Sequence, residues 1–338
     1  MEAFRQATPE PSAYSQEEVT TWLRAIGLPH QYTEFIKTPG SFPKTAEALR
    51  TLMRCQISTF PYENLSVHYS PTHLVDIRPH SLYEKMVGQD RDRGRGGYCM
   101  ELSILFHHML RGLGFHIYMT GVRNRTRTDG VPQGQYVGWT HINNIVHLPS
   151  GEKFSVDVAF GGDGPTSPLP LVDTSPTIQN LGPQQVRLVH DNIPKQRLKD
   201  PKLWVYQYRN GADREWNSFY SFAEIEFFQE DYEVQNWWTA AKTLHRWTVL
   251  LVRFLREGEP VEFDQRATVN GKDATEVTIV GKVMLVNDVV KVNMGGKTSV
   301  VHTFETEEGR LQALKKYFGI TLTETEKGSI RGWDMALA

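Results

Sequence analysis

The sequence predicts an α+β multidomain protein, with helices first, strands second and a mixed α/β segment last. Three observations carry that reading. Through Leu113 apolar residues recur at i, i+3, i+4 and i+7; beyond Gly114 the spacing falls to about two; and from Thr243 strand-like runs lead into one amphipathic helix, Thr306 to Phe318. At 338 residues the chain is longer than one hydrophobic core usually serves. The expected units are a helical domain over 1–92, a β domain over 93–210 that includes the helix opening at Cys99, a helical linker over 211–242, and an α/β domain with a C-terminal tail over 243–338.

Composition narrows the class. A net charge of −2 and a pI near 6.6 argue against a nucleic-acid partner, which normally demands a basic excess. Cys55 and Cys99 are the only cysteines, so no disulfide framework is expected and no metal is assigned. Met1 to Thr20 is polar where a signal peptide needs an apolar run, and the longest apolar cluster, near Thr248 to Val252, is far too short for a membrane span. These features predict a cytoplasmic protein with no membrane partner, and they leave its oligomeric state open.

In the first unit, Ser15 and Glu18 form a capping box ahead of Val19, Trp22, Leu23 and Ile26, and Gly27 with Pro29 ends that helix. The run from Trp22 to Phe35 superficially resembles the start of a SAM interaction domain, but Pro39 and Pro43 break the helices such a domain needs. A second helix is expected over Thr45 to Ile57, with Cys55 off its apolar stripe. Next comes a proline-anchored turn, Phe60-Pro61-Tyr62-Glu63-Asn64-Leu65, and a short helix over Ser81 to Val87.

In the second unit, Phe115 to Arg123, Gln135 to Leu148 and Phe154 to Phe160 read as strands, with a basic loop over Arg123 to Gln133 and a turn at Pro149 to Glu152. Gly161 to Pro183 reads as a surface excursion, Val186 to His190 and Leu203 to Tyr208 as strands, and Phe219 to Asn236 as a linking helix. In the last unit Arg246 to Leu255, Val261 to Val269, Thr275 to Val280 and Lys282 to Val292 are strand-like.

The chemistry centres on Arg93-Gly94-Arg95-Gly96-Gly97-Tyr98-Cys99. Leu102, Leu105, Phe106, Met109, Leu110 and Leu113 continue as a buried helix face, so Cys99 falls in the first helical turn. Unpaired N–H groups there favour a thiolate, and Arg93 and Arg95 are expected to push the same way. Gly96 and Gly97 allow a sharp bend and the close approach of a substrate. His141, in Trp139-Thr140-His141-Ile142-Asn143, and Asp157, in Val156-Asp157-Val158, lie on consecutive strands. An acid in so apolar a run needs a partner. Their separation of 16 is even, so the two share a face only if the turn holds an odd number of residues. Read from residue types, the set fits either a Cys99-His141-Asp157 nucleophilic triad or a packed thiol beside a structural His-Asp pair.

With these pieces assembled, the chain resembles the arylamine N-acetyltransferase family over nearly its whole length, and its fungal members most. Arg95-Gly96-Gly97-Tyr98-Cys99 is similar to the family's nucleophile loop, Phe60 to Leu65 to its aromatic-Glu-Asn-Leu turn, and Thr140-His141 with Val156-Asp157 to its His and Asp segments. The resemblance implies a helical bundle, a β-barrel and an α/β lid around a papain-like cysteine triad. It implies an acyl-CoA donor (acetyl-CoA or malonyl-CoA) as substrate with no permanently bound cofactor, and an arylamine, arylhydroxylamine or hydrazine acceptor. A ping-pong cycle through an acyl-cysteine would link them.

It further places Tyr62 and Phe160 in the amine pocket, pairs Glu63 with Arg95, and sets Gly138 and, through Gly328-Ser329-Ile330, Ser329 beside the CoA site. Glu101 and the tail Arg331 to Ala338 depart from the vertebrate pattern. Some fungal members prefer malonyl-CoA, and Arg123 or Arg125 after the first barrel strand is a candidate partner for a malonyl carboxylate. The competing reading of the same three residues is a papain-like or transglutaminase-like cysteine hydrolase, which would take its acyl group from an amide.

Overall fold

The computed structural model describes residues 11–128, 130–263 and 276–338. Helix α1, Gln16–Ala25, is opened by Ser15, whose side chain accepts from the Glu18 N–H while Glu18 reaches back to the Ser15 N–H. Two short 3-10 turns, His30–Lys37 and Pro39–Ser41, lead to α2, Ala46–Thr59, capped by Thr45. A two-residue strand β1, Tyr62–Glu63, then α3, Leu65–Tyr69, and α4, Pro79–Met86, precede α5, Cys99–Gly112. Cys55 is wholly buried on α2, and burial pushes its thiol up to about 11, so it packs as an apolar residue.

An antiparallel sheet of eight strands follows. Its members are β2, His116–Thr128; β3, Val131–His147; β4, Lys153–Val156; β5, Leu169–Pro170; β6, Ile178–Gln179; β7, Gln185–Asp191; β8, Leu203–Arg209; and β9, Asn217–Phe222. The order is β5-β4-β3-β2-β9-β8-β7-β6. The sheet curls until β5 meets β7, giving a nearly closed barrel filled by Tyr118, Leu169, Leu188, Tyr206 and Tyr220. Helix α6, Gln229–Lys242, lies against β3. Strands β10, Leu250–Arg256; β11, Ile279–Val286; β12, Val289–Asn293; and β13, Ser299–Thr303 form a second sheet, ordered β1-β10-β11-β12-β13. Helices α7, Glu307–Phe318, and α8, Glu324–Ser329, complete the chain. Because β1 pairs with β10, the turn before Leu65 is an edge of this last sheet.

Helix α5, which Cys99 opens, is buried in a core shared with α1, α2 and α4, and its other side meets β2 and β3. It sits between the helical part and the barrel. The tail packs as well. Trp333 stacks flat on His73 at 3.5 Å, and the Arg246 guanidinium covers Trp333 at 3.7 Å.

Six expectations need correcting. The strand expected over Phe154 to Phe160 ends at Val156, and the surface excursion expected over Gly161 to Pro183 instead supplies β5 and β6 to the barrel sheet and buries Thr166, Ser167, Leu169 and Leu171. The helix expected from Phe219 begins only at Gln229, because 217–222 is strand β9, held between β2 and β8. The basic loop Arg123 to Gln133 is instead the far end of the β2–β3 hairpin, where Arg125 faces Tyr136 and Arg127 faces Pro132. Its arginines bury their planes on rings: Arg123 lies over Trp139 at 4.6 Å and Arg127 over Phe219 at 5.4 Å. Lys282 to Val292 is two strands reversing at Asn287, which takes φ +57°. Arg246 belongs to a 3-10 turn, so the strand expected from there starts at Leu250. The strand expected over Val261 to Val269 lies from 264 onward outside the described residues, as does Thr275 at the start of the next.

Candidate active site

Cys99 opens α5 and is 3% exposed. The loop before it is held on both sides. Gly97 accepts from the Glu63 N–H at 2.9 Å and donates to the Pro61 carbonyl at 3.3 Å, so it runs beside β1. A Cβ on Gly96 would lie 1.8 Å from the Pro61 oxygen, and one on Gly97 would lie 2.5 Å from the Glu101 side chain. Contact within the chain therefore already demands both glycines. Glu101 accepts from the Tyr98 N–H at 3.0 Å and from Lys85 Nζ at 2.7 Å, which caps the helix.

The expectation that Arg93 and Arg95 favour a thiolate is overturned, because acids brought from far along the chain take up their charge. Arg95 donates to Glu63 at 2.9 Å and to Glu326 of α8 at 2.6 Å; Arg93 pairs with Glu326. Burial alone would raise the Glu63 carboxyl, but Arg95 and Lys85 outweigh it and bring its pKa down to about 2. Around Cys99, burial pushes the thiol up, the Met100 N–H opposes this, and the Asp157 and Glu101 carboxylates add to the rise. A thiolate here needs a proton acceptor in the same closed space.

His141 is 2% exposed, and its Nε2 lies 2.8 Å from Asp157 Oδ2. Five residues, 148–152, separate the last paired residues His147 and Lys153, the odd number that puts both side chains on one face. A bulge helps aim the imidazole: Val122 pairs with His141 and Arg123 with Trp139, so Thr140 is the extra residue. The other carboxylate oxygen, Asp157 Oδ1, accepts from the Ala159 N–H at 3.0 Å. Nε2 being engaged, Nδ1 is the nitrogen left to exchange a proton.

Aromatic rings surround this pair. Phe160 stands edge-on to His141 at 5.2 Å, and Tyr220 lies 5.8 Å from it. Tyr62 is buried, with its ring beside Gly161 and its hydroxyl 3.3 Å from His245 Nε2. Arg125 is bound by Gly134 O, Gln133 O and Asn217 Oδ1, whereas Arg123 makes one long hydrogen bond, 3.4 Å, to Val137 O. Gly138 is exposed, and a Cβ there would meet nothing within 4 Å. Ser329 closes α8 and donates to Thr325 O at 2.8 Å.

Sequence reading missed His245, Lys85 and Glu326, which come to the site from distant elements and belong to no local pattern. Three buried histidines have an effect of their own. Burial lowers His68 to about 4 and His245 to about 3, and puts His107 well below its usual range. Unfolded, each protonates near pH 6.5. Their contribution to stability is whole above that pH and is lost as pH falls toward the folded values, at about 1.4 kcal/mol per pH unit for each ring. Urea midpoints measured at pH 7.5, 6 and 5 should fall steeply, and a flat profile would contradict the neutral burial.

The site thus holds a buried thiol at a capped helix start and a histidine anchored by a buried aspartate whose charge acts on that thiol. Comparison settles the family. Residues 45–327 match the N-acetyltransferase family model. The N-malonyltransferase FDB2 of Gibberella moniliformis is 30% identical over 346 residues, covering 95% of this chain and 94% of that protein. The arylamine N-acetyltransferase structure from Salmonella typhimurium superposes with a TM-score of 0.70 at 23% identity, covering 94% of this chain and 98% of that one. The Mycobacterium marinum enzyme, solved in complex with CoA, gives 0.66 at 22% identity, with coverages of 93% and 99%. The chain belongs to the arylamine N-acetyltransferase family and is an N-acyltransferase. Among the described residues no helix is long and apolar enough to cross a membrane.

Proposed function

We propose that this chain transfers an acyl group from acyl-CoA to an arylamine, arylhydroxylamine or hydrazine in two half-reactions through an acyl-cysteine on Cys99. The observation that carries the reading is the buried His141–Asp157 contact at 2.8 Å, which leaves His141 Nδ1 as the base beside a thiol that burial keeps protonated. In the first half-reaction Nδ1 takes the Cys99 proton as sulfur attacks the thioester carbonyl; the bond from carbonyl carbon to CoA sulfur breaks, and CoA leaves with that proton. In the second the amine nitrogen attacks the acyl-cysteine carbonyl and gives its proton to His141; the bond from carbonyl carbon to Cys99 sulfur breaks, and His141 returns the proton to that sulfur. Asp157 stabilises the imidazolium in both. Tyr62 and Phe160 form flat walls for an aromatic acceptor. Exposed Gly138 and the α8 residue Ser329 border the entry for CoA, and the family's solved CoA complex supports CoA as the donor's carrier. Unpaired Cys55 and Cys99 suit a reducing cytoplasm.

Malonyl-CoA is the proposed donor, because a relative matching 95% of the chain is named an N-malonyltransferase. Arg123 would hold the malonyl carboxylate, since its guanidinium is less committed than that of Arg125. Intact-mass measurement after mixing with each donor should show one acyl group on Cys99. Absence of an adduct with both malonyl-CoA and acetyl-CoA would sink the transfer reading. Arg123→Ala should lower the malonyl to acetyl ratio of kcat/KM about 10-fold; an unchanged ratio removes Arg123 from donor selection.

A further inference from the structure

His245 is a buried side chain next to the nucleophile loop that the transfer steps leave unused. It lies in the 3-10 turn Leu244–Arg246, is 7% exposed, and stands edge-on to Tyr98 at 5.3 Å. One ring nitrogen, Nε2, faces the Tyr62 hydroxyl at 3.3 Å. The other, Nδ1, is buried with no hydrogen-bond partner among the described residues. Burial keeps this ring neutral, so it carries one proton and there are two ways to place it.

With the proton on Nδ1, a buried N–H would have no acceptor, while Tyr62 donated to Nε2. With the proton on Nε2, the ring donates to the Tyr62 oxygen, and the orphan is a lone pair. Unmatched buried N–H groups are rarer than under-used acceptors, so the second arrangement is favoured. It has a consequence for Tyr62. The hydroxyl oxygen accepts from His245, and its own proton must point elsewhere.

The surroundings say where. Tyr62 is bridged through its backbone to Gly97, two residues before Cys99, and its ring adjoins Gly161, next to the Phe160 wall. Burial first, and then the Cys99 and Asp157 charges, raise its phenol pKa, so the hydroxyl stays protonated and within electrostatic reach of both groups.

Resting on the acyl-transfer reading, we propose that Tyr62 is a catalytic hydrogen-bond donor to the carbonyl oxygen of the acyl group as it becomes tetrahedral on Cys99, with His245 Nε2–H as the positioning group that turns the phenol. As Cys99 sulfur bonds to the carbonyl carbon, the C=O electron pair moves onto oxygen; the Tyr62 proton is shared with that oxygen and returns when the pair collapses to expel CoA. A hydroxyl that itself accepts a hydrogen bond donates more strongly, and one such donor is worth about 10²–10³ in rate.

The test is single-turnover acylation of Cys99, followed by mass, with acetyl-CoA and with malonyl-CoA. Tyr62→Phe should slow acylation about 100-fold with both donors and leave the apparent donor affinity unchanged. His245→Leu should show most of that loss, and His245→Gln, which keeps a side-chain N–H, should restore most of it. Thermal midpoints identify any variant that has lost its fold, and Tyr62→Phe removes only one oxygen. Wild-type acylation rates in Tyr62→Phe overturn the proposal, as does a loss confined to malonyl-CoA, which would assign the hydroxyl to the carboxylate. A His245→Gln loss equal to that of His245→Leu also overturns it. If the wild-type protein takes up no acyl group at all, the acyl-transfer reading has failed instead.

Discussion

Cys99→Ala should abolish acyl transfer, with a fall of about 10⁴-fold or more, while the thermal midpoint stays within a few degrees of wild type. The loss is chemical, because the proposed covalent route needs a side chain to carry the acyl group from CoA to the amine, and an alanine at position 99 cannot. The fold should survive because the loop is held by other contacts: Gly97 to Pro61 and Glu63, Glu101 to the Tyr98 N–H, and Arg95 to Glu63 and Glu326. None of these passes through the sulfur. Intact mass after incubation with malonyl-CoA should show no adduct in the variant. An adduct of unchanged stoichiometry would place the acyl group on another residue and end the acyl-cysteine mechanism.

Asp157→Asn should cost about 10³–10⁴-fold in the acylation rate with little change in donor KM. The geometry sets the reason. An asparagine can keep the hydrogen bond from the Ala159 N–H through its carbonyl oxygen, which turns its NH₂ toward His141 Nε2. That nitrogen must then be the unprotonated one, and the proton moves to Nδ1, the nitrogen needed as base. The ring stays in place but in the wrong tautomer, so binding persists while proton transfer fails. A variant acylating within 10-fold of wild type would show that Asp157 only packs.

Much of this site was legible from the chain. Cys99 stands where the spacing changes to helical, and Asp157 stands in a run too apolar to hold an unpartnered acid. His141 and Asp157 were legible as neighbours in sequence pattern but not as a pair. Their meeting depends on the five-residue connection 148–152, and a shift of one residue there would turn the two side chains to opposite faces. The electrostatics of the thiol were not legible. Arg93 and Arg95 read as activating because they are near Cys99 in sequence, yet Glu63 and Glu326 claim them in space.

Strand β9 shows the same limit in the fold. Its residues 217–222 are followed by acids that suit a helix start, and only pairing with β2 and β8 makes them a strand. The β2–β3 hairpin was hidden because its outer end alternates arginines with polar residues, and aromatic rings on other strands give those arginines somewhere to pack. The reversal at Asn287-Asp288 was in plain view, since an Asn-Asp pair between two apolar alternating runs is a hairpin signal.

By itself the sequence determined the local periods, the helix caps and the immediate surroundings of the three candidate residues Cys99, His141 and Asp157, because each depends on residues within a few positions of one another. Only the tertiary structure decided which face His141 shares with Asp157, which acids neutralise the arginines of the loop before Cys99, and that a second histidine, His245, stands against Tyr62. Those outcomes rest on strand register and on contacts across the chain, where one residue of slip changes the chemistry and no local pattern records it.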